Sequence, residues 1–458
     1  MLRWSNELGP IYLLKLYWER IVVVTDPAIT TNLLKYTPDG DKSDGYGILN
    51  KGSFPEIAAA GHEVVEVLRA LASGTAVDID ELLQRQALDV ISRVGFGIDL
   101  AAMQGFMKPG NAQQDLLYHL KRGMDEVNMR WGDPLRGYLI FLPSVREGER
   151  HFAGFRAHME RLLALLKAKG PPAESDMSIG AHLLRLKDPH TGQPLSDDRL
   201  LPEIATLFVA GHDTAAHTMA WTLYLISQRP EVEARVCEEL RSLGLLAGEG
   251  SPSPARPVQL EDLGKLTYLS ACIKESMRLY PVAADGTIRV FPQPVQLGPY
   301  TVPADTMIWF YFYATHKGSQ FWAEPEQFIP ERWLKPGTEY HSSQPLGKEP
   351  AAPAAPSNEG QPDVADAAAA WNVDDSSSGG KRDQAALRWL PFGVGPRDCI
   401  GQSLARLNYT ATLGTLLGHF SFKLAPEMEG PGGIAESDIL CLTLQPANGL
   451  KMFAVPRA

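Results

Sequence analysis

One long helical segment constrains the fold of this chain more than any other feature. Ser196 or Asp197 can cap its start, and the apolar pattern continues to about Ser227, just before Pro230. A helix of about 30 residues spans ~45 Å, which is enough to cross a whole domain. Because the segment is apolar on most sides, we expect a buried central helix.

Helical periodicity also dominates the rest of the chain. It runs through most of residues 55–169 and recurs over Glu231–Leu243 and about Leu266–Leu279, where Pro281 ends the pattern. Such a distribution is typical of a protein built mainly from packed helices.

The β-structure is predicted to be small. β-branched runs at residues 11–14 and 20–25 predict two short strands, and a helix begins near Asp26. Val295–Trp309 predicts a strand hairpin with its turn near Gly298. The fold class is therefore mainly α with a small β-region.

The charge balance argues against nucleic acid as the main partner. Lys and Arg total 43 and Asp and Glu total 54, which gives a net charge of −11. Phosphate contacts need a basic footprint, and a chain this acidic offers none overall. With 44% hydrophobic and 21% charged residues, the composition is that of a globular protein.

Residues 336–386 differ in composition from the rest of the chain. They are rich in Ala, Pro, Ser, Gly and Asp and show little apolar periodicity. Such a segment cannot bury enough apolar surface to offset the entropy of ordering it. We therefore predict a single domain over residues 1–458, interrupted by a disordered insertion at about 336–386.

The cysteines indicate a reducing compartment. Cys237, Cys272, Cys399 and Cys441 are scattered and form no C-x-x-C pair, so a disulfide framework is not expected. No stretch reaches the ~18 uncharged apolar residues of a membrane span, and the start at Met1 lacks the order of a signal peptide. We expect a chain that is soluble or at most peripheral to a membrane.

The strongest chemical signal surrounds Cys399. Phe392–Gly401 has the sequence F-G-V-G-P-R-D-C-I-G, and the periodic stretch Leu404–Leu417 predicts a helix directly after it. Two glycines and a proline predict a tight loop that presents the sulfur near a helix N-terminus, where a thiolate is favoured. A thiolate can serve as an axial ligand of iron.

Two other interpretations of the cysteines compete with an iron ligand. A buried structural cysteine is the commonest fate of a lone Cys, and we keep that interpretation for Cys237, Cys272 and Cys441. A zinc or iron–sulfur site at Cys399 is disfavoured, because no second cysteine is close in sequence.

A second signal lies within the long helix, at Ala210–Thr214, A-G-H-D-T. Gly211 costs about 1 kcal/mol against Ala in a helix, which makes sense where a flat group must approach the backbone. Asp213 and Thr214 place an acid and a hydroxyl beside that gap, suited to proton delivery. The alternative is a polar pair satisfied within the helix, with Thr214 bonded back to a carbonyl. His212 and His217 are interpreted as polar residues that bind no metal.

Together these motifs resemble those of the cytochrome P450 family. Phe392–Gly401 matches F-x-x-G-x-R-x-C-x-G at every fixed position, and Ala210–Thr214 matches A-G-x-[DE]-T. Glu275–Arg278 matches E-x-x-R, and Pro330–Trp333 is similar to P-E-R-F, with Trp in the last place. All four follow the family's order over roughly residues 200–420.

The resemblance implies the cytochrome P450 fold with haem b bound by Cys399 as the metal ligand. The residues that it places at the cofactor are Cys399, Arg397, Arg289, Phe392, Gly393, Gly401, Ala210 and Gly211, with the two arginines at the haem propionates. It assigns proton delivery to Asp213 and Thr214 as catalytic residues. It further implies a buried structural network of Glu275, Arg278 and Arg332 that braces the loop under the haem.

The implied reaction is insertion of one oxygen atom from O₂ into a lipophilic substrate by hydroxylation or epoxidation. Electrons would come from NADPH through a reductase, a flavoprotein or ferredoxin, docked on the Cys399 face. The implied location is the cytoplasmic face of the endoplasmic reticulum membrane, with peripheral contact. Two alternatives are a haem-thiolate isomerase or dehydratase acting on hydroperoxides, and an inactive truncated homologue.

Two family features are missing from the sequence as it stands. No W-x-x-x-R motif lies between Lys42 and Asp89, so one helix is expected to be absent. The first strands begin close to Met1, so we also expect no N-terminal hydrophobic anchor in this chain.

Overall fold

The computed structural model describes residues 2–16, 19–35, 49–71, 74–107, 115–133, 135–188, 190–248, 255–334, 388–430, 433–434 and 443–457. The predicted insertion at 336–386 and Cys441 lie outside these residues, as does part of the stretch between Lys42 and Asp89 that lacks the W-x-x-x-R motif. The chain divides into two compact units, residues 1–43 with 274–400 and residues 44–273 with 401–458. The single-domain assignment stays a prediction.

Helices make up most of the described residues. The α-helices are α1 (Leu2–Leu8), α2 (Pro27–Lys35), α3 (Leu49–Ala70), α4 (Ile79–Val90), α5 (Ala102–Met107), α6 (Leu116–Gly132), α7 (Pro143–Ala168), α8 (Ile179–Arg185), α9 (Asp197–Ser227), α10 (Pro230–Ser242), α11 (Leu260–Leu263), α12 (Thr267–Leu279), α13 (Phe312–Lys317) and α14 (Gln402–His419). A π-helical turn, Ile91–Gly95, extends α4. Among the described residues, no helix is long and apolar enough to cross a membrane.

The strands are short. They are β1 (Ile11–Leu16), β2 (Glu19–Val24), β3 (Val77–Asp78), β4 (Thr287–Val290), β5 (Val295–Leu297), β6 (Tyr300–Val302), β7 (Met307–Phe310), β8 (Phe420–Leu424) and β9 (Lys451–Pro456). They form a four-stranded sheet in the order β1-β2-β7-β4, a three-stranded sheet in the order β3-β9-β8 and the pair β5-β6. The prediction of a mainly α fold with a small β-region is confirmed.

The first unit is built on the four-stranded sheet. β2 lies inside this sheet, antiparallel to β1 and parallel to β7. Its β-branched sequence suits that position, because Val23 and Val24 are fully buried. Val24, Phe310 and Phe312 share a hydrophobic cluster with Leu390 and Val394, so this core reaches the segment that leads to Cys399.

The predicted hairpin at Val295–Trp309 is only partly correct. β5 and β6 pair antiparallel, with Leu297 opposite Tyr300, so the turn at Gly298 is confirmed. Trp309, however, belongs to β7, which pairs with β2 and β4 instead. The sequences of β5, β6 and β7 all look strand-forming, and only the tertiary structure decides which strands pair.

The second unit is built around α9, and the prediction of a long helix is confirmed. Its 31 residues follow Ser196 at the N-cap, and Pro230 begins α10 three residues after α9 ends. α9 packs against α4 and α14, while α3 packs along α14 and α6 along α7. Residues 215–223 are all buried, as expected for a central helix.

Candidate functional site

The loop that carries Cys399 is closed by its own backbone. The Cys399 N–H donates to the Phe392 carbonyl at 2.7 Å, and the Asp398 N–H donates to the Gly395 carbonyl at 3.0 Å. Gly393 and Gly395 have φ angles of +70° and +83°. Residues with a Cβ rarely adopt such angles, so both glycines are required for this turn.

The loop exposes the sulfur of Cys399, whereas Cys237 and Cys272 are buried. The structural interpretation of those two is confirmed. Cysteine is among the residues most often buried, so an exposed thiol at the tip of a tight loop is unusual. Gly401 then stands at the N-cap of α14. An accessible sulfur next to the start of a helix fits an axial ligand that a large planar cofactor would cover.

The chain just before the loop is fixed by two buried groups. The indole N–H of Trp389 donates to the Lys274 carbonyl at 3.1 Å, and the Leu390 N–H donates to Nε2 of His316 at 2.7 Å. Burial, together with the charge of Arg278, lowers the pKa of His316 to about 3. His316 is therefore neutral at physiological pH, which is what lets its ring nitrogen accept this bond.

Glu275 lies at the centre of a buried ion network. Arg278 binds both carboxylate oxygens, with Nε 3.0 Å from Oε2 and Nη2 2.9 Å from Oε1, and neither side chain is exposed. Arg332 adds a third charge, since its Nε lies 3.2 Å from Oε1. The structure thus brings together the three residues predicted to form this network.

Arg278 and Glu275 have further partners that the sequence motif does not name. Arg278 donates its remaining hydrogen bonds to the carbonyls of His316, Pro325 and Gln327. Glu275 also accepts from the indole N–H of Trp333 at 2.9 Å. A Phe in this last position of the P-E-R-F element could not donate that bond, so the Trp of this chain completes the network.

Three tryptophan rings in tilted contact connect the network to the Cys399 loop. The ring centroids of Trp322 and Trp333 are 5.8 Å apart, and those of Trp333 and Trp389 are 5.3 Å apart. The guanidinium of Arg278 lies 5.3 Å from the Trp322 centroid. This geometry gives the predicted bracing role a physical path from Glu275 to the loop.

The two arginines predicted at the haem propionates lie on different elements. Arg397 is exposed on the loop itself. Arg289 lies on β4, where its guanidinium donates to the Thr287 hydroxyl and, at 2.8 Å, to the Ile288 carbonyl. Their contact with propionates stays a prediction.

The middle of α9 changes character where the second motif lies. Thr206 and Ala210 are exposed, although the helix is wholly buried from residue 215 to residue 223. Thr206 and Ala210 are four residues apart, so they share one face. An open face on a central helix fits the approach of a cofactor and substrate.

Gly211 has a steric requirement of its own. A Cβ built there would lie 2.7 Å from Cδ1 of Ile91, the first residue of the π-helical turn. A larger residue would require the Ile91 side chain to shift. Helix packing therefore explains this glycine without a cofactor, and its predicted contact with haem stays a prediction.

Thr214 is bonded as the alternative interpretation expected. Its hydroxyl donates to the Ala210 carbonyl at 2.9 Å. A hydroxyl has one donor and two acceptor positions, so this bond leaves the oxygen able to accept from another group. The geometry is compatible with both interpretations.

Asp213 is held by two side chains that the sequence analysis left aside. Its Oδ2 accepts from the Thr443 hydroxyl, and its Oδ1 lies 3.0 Å from Nε2 of His217. The other ring nitrogen of His217 lies 2.6 Å from Oδ1 of Asp80 on α4. His217 was interpreted as an ordinary polar residue, and the structure shows it fully buried between two carboxylates.

The charges of this cluster outweigh its burial. Burial alone would lower the pKa of His217, but Asp80 and Asp213 raise it to about 10. Burial alone would raise the pKa of Asp213, but the charge of His217 holds it well below its usual range. At neutral pH the histidine is a cation and Asp213 is ionised.

Some of these partners were visible in the sequence and others were not. Asp213 and His217 are four residues apart on one helix, a spacing that brings side chains together. Asp80 and Thr443 are distant in sequence, so only the folded chain brings Asp80 to His217 and Thr443 to Asp213. The same holds for Trp333 and Trp389.

Comparison with known proteins gives one family. A sequence model of that family, described as Cytochrome P450, matches residues 51–348 and 371–448. The chain is 27% identical over 413 residues to a probable cytochrome P450 4d20 of Drosophila melanogaster, covering 86% of this chain and 69% of that protein.

Two further relatives are similar over shorter stretches. The cytochrome P450 monooxygenase apf8 of Gibberella fujikuroi is 27% identical over 383 residues, 80% of this chain and 87% of its own length. The cyclooctat-9-en-7-ol 5-monooxygenase of Streptomyces melanosporofaciens is 31% identical over 287 residues, 61% of this chain and 58% of its own length. The chain therefore belongs to the cytochrome P450 family, the haem-binding monooxygenases whose mainly helical fold it shares.

Proposed function

We propose that this chain inserts one oxygen atom from O₂ into a C–H or C=C bond of a lipophilic substrate. The observation that supports the proposal is the exposed Cys399 in a tight loop that turns at two glycines. The chain leading into this loop is connected to the buried ion network of Glu275. A thiolate held rigidly and accessibly is what the ligand position requires. Structural cysteines are instead buried, as Cys237 and Cys272 are.

We assign the sulfur of Cys399 to the iron and Arg397 and Arg289 to the haem propionates. Phe392, Gly393 and Gly401 shape the loop around the sulfur, and Ala210 and Gly211 would face the cofactor from α9. Haem iron with a thiolate ligand supplies O–O bond cleavage. The protein's own contribution is to hold the sulfur in place and to exclude other ligands from it.

Asp213 and Thr214 favour the monooxygenase reaction over the isomerase alternative, because oxygen insertion from O₂ needs a supply of protons. The Thr214 hydroxyl keeps acceptor capacity on the half-buried side of α9. Asp213, directly before it, is an ionised carboxylate that can orient a water molecule toward that hydroxyl.

The substrate, electron source and location are proposed from the family. Family pockets are mainly apolar, so we propose a lipophilic small molecule. The Streptomyces relative, a monooxygenase of cyclooctat-9-en-7-ol by its name, is consistent with that class. We propose NADPH as the electron source, through a reductase that docks on the Cys399 face, and peripheral contact with the endoplasmic reticulum membrane.

The family match omits residues 349–370, which supports an insertion at 336–386 in one domain.

The test is the visible spectrum of the reduced, haem-loaded protein under carbon monoxide. We expect the strongly red-shifted Soret band of thiolate-bound iron in the wild type and in the control variant Cys237→Ala. Cys399→Ser should lose that band. A wild type that takes up no haem, or that shows only an unshifted band, would overturn the proposal.

A further inference from the structure

A continuous chain of polar side chains is buried in the second unit beside the proposed proton-delivery pair. It runs from Asp80 at the start of α4, through His217 on α9, to Asp213 one turn earlier on α9 and then to Thr443. His217 is fully buried and the Asp80 side chain is 4% exposed, whereas that of Asp213 is 15% exposed. Of the three charged side chains in this polar row, that of Asp213 is therefore the most accessible to solvent.

Geometry fixes the protonation of His217. Each ring nitrogen faces a carboxylate oxygen, Nδ1 at 2.6 Å and Nε2 at 3.0 Å. The imidazolium, with a proton on both nitrogens, is the form of the ring that pairs with a carboxylate on each side. A buried ion pair with good geometry is strongly disturbed when one partner is removed.

The other polar groups around the cluster do not supply a second cation. Gln84, one turn along α4, donates to Oδ2 of Asp80 at 2.5 Å, and Asp78 adds a negative charge nearby. His212 on α9 lies 3.9 Å from Oδ1 of Asp213, but burial lowers its pKa and leaves it neutral. Lys121 on α6 acts on Asp78 rather than on Asp213.

Both oxygens of Asp213 are thus held from the protein interior. Oδ1 faces His217 and Oδ2 accepts from Thr443. We propose that His217, anchored by Asp80, is the positioning residue that keeps Asp213 ionised and oriented beside Thr214. This inference rests on the proposed function, in which Asp213 and Thr214 deliver protons.

The consequence is that Asp213 works as a carboxylate that orients a water molecule toward Thr214, rather than as a neutral acid that stores a proton. Without His217 this partly buried carboxylate would lose the only close cation found among the described residues. Its desolvation would then favour the protonated form. The role therefore has a spectroscopic signature that a purely structural role would not produce.

The test is infrared difference spectroscopy of the haem-loaded protein, His217→Gln minus wild type, at about pH 7. We expect a new carbonyl stretching band of a protonated carboxyl that integrates to about one group per chain. The band should vanish in His217→Gln/Asp213→Asn and persist in His217→Gln/Asp80→Asn. His212→Gln is the matched control, a second buried histidine of α9, and should give no band.

Three results would overturn the proposal: no new band in folded His217→Gln, a band that survives Asp213→Asn, or one that vanishes only with Asp80→Asn. If His217→Gln does not fold, ¹⁵N chemical shifts of labelled histidine in the wild type decide the question. One histidine should remain an imidazolium at about pH 8.5, and finding all of them neutral would refute the inference.

The outcome is separable from that of the proposed function. The carboxyl band needs no turnover and no thiolate–iron bond, whereas the carbon monoxide spectrum tests the latter directly. A missing red-shifted Soret band beside a clear Asp213 band would refute the proposed function and leave the role of His217 toward Asp213 intact. The reverse pattern would refute only the role of His217.

Discussion

The buried ion cluster around Glu275 in the first unit and the one around His217 in the second are built from different cations. In the first unit, Glu275 is neutralised by Arg278 and Arg332. Guanidinium groups stay charged over the pH range in which proteins remain folded. In the second unit, Asp80 and Asp213 share the imidazolium of His217, which can lose its proton. The first cluster carries fixed charges and the second a titratable one.

Their surroundings differ in the same sense. Arg278 uses its remaining donors on three backbone carbonyls, so the Glu275 cluster fastens loops to one another. The His217 cluster ends at Asp213, which borders the open face of α9. Fixed charges suit a brace that must not respond to its environment, and a titratable group suits a place where protons are handled. Perturbing each cluster in turn tests this distinction.

The largest effect is expected from Glu275→Gln. It leaves two buried guanidinium groups without their carboxylate, which costs about 3–5 kcal/mol of stability. Chemical denaturation should show that loss between about pH 6 and pH 9, where carboxylates are ordinarily ionised and arginine does not titrate. The matched control is Glu160→Gln, which breaks the exposed pair of Arg156 and Glu160 and should leave the unfolding midpoint unchanged.

A Glu275→Gln variant as stable as the wild type would show that the motif is not a brace. A loss that grows or shrinks between about pH 6 and pH 9 would contradict the fixed-charge description of this cluster.

The next effect concerns pH and the His217 cluster. The pKa of His217 is raised to about 10 in the folded state, against about 6.5 unfolded. Its contribution to stability is therefore full below pH ~6.5 and is lost as the pH rises toward about 10. The wild type should lose up to about 1.4 kcal/mol per pH unit across this window relative to His217→Gln/Asp213→Asn, in which neither the imidazole nor the Asp213 carboxyl is left to titrate. Denaturation series of both proteins over this range measure the difference.

Two comparisons sharpen that experiment. Burial lowers the pKa of His212, so His212 is neutral above pH ~6.5 whether folded or unfolded, and His212→Gln should run parallel to the wild type there. The pKa of Asp213 is held low, so its contribution is present above pH ~3.9 and is lost on acidification. Parallel curves for the wild type and His217→Gln/Asp213→Asn would mean that His217 is not a buried cation.

The smallest effect is expected from Trp333→Phe, which restores the family's P-E-R-F sequence. It removes the indole N–H that donates to Glu275 but keeps an aromatic ring between Trp322 and Trp389. Glu275 retains both arginines, so we expect a loss of about 1–3 kcal/mol, below that of Glu275→Gln. Thermal unfolding measures it. A loss as large as that of Glu275→Gln would assign the bracing to the contacts among the tryptophan rings rather than to the ion pairs of Glu275.

The sequence alone was sufficient for features that depend on local spacing. Helical period, a possible N-cap at Ser196 and Pro230 predicted α9 to within a residue, because capping and the 3.6-residue repeat are properties of neighbouring residues. The E-x-x-R pair could be expected on one helical face for the same reason. The glycines before Cys399 also predicted a tight loop, and their positive φ angles bear this out.

Only the tertiary structure decided which distant residues complete each cluster. The pairing of β7 with β2, the contact of Ile91 with Gly211 and the meeting of Asp80 with His217 join residues far apart in sequence. No local pattern encodes such contacts, since they depend on how whole helices and strands pack. The sequence named an acid and a hydroxyl on α9, but the folded chain decided that the acid is ionised, because packing buries a histidine between two carboxylates.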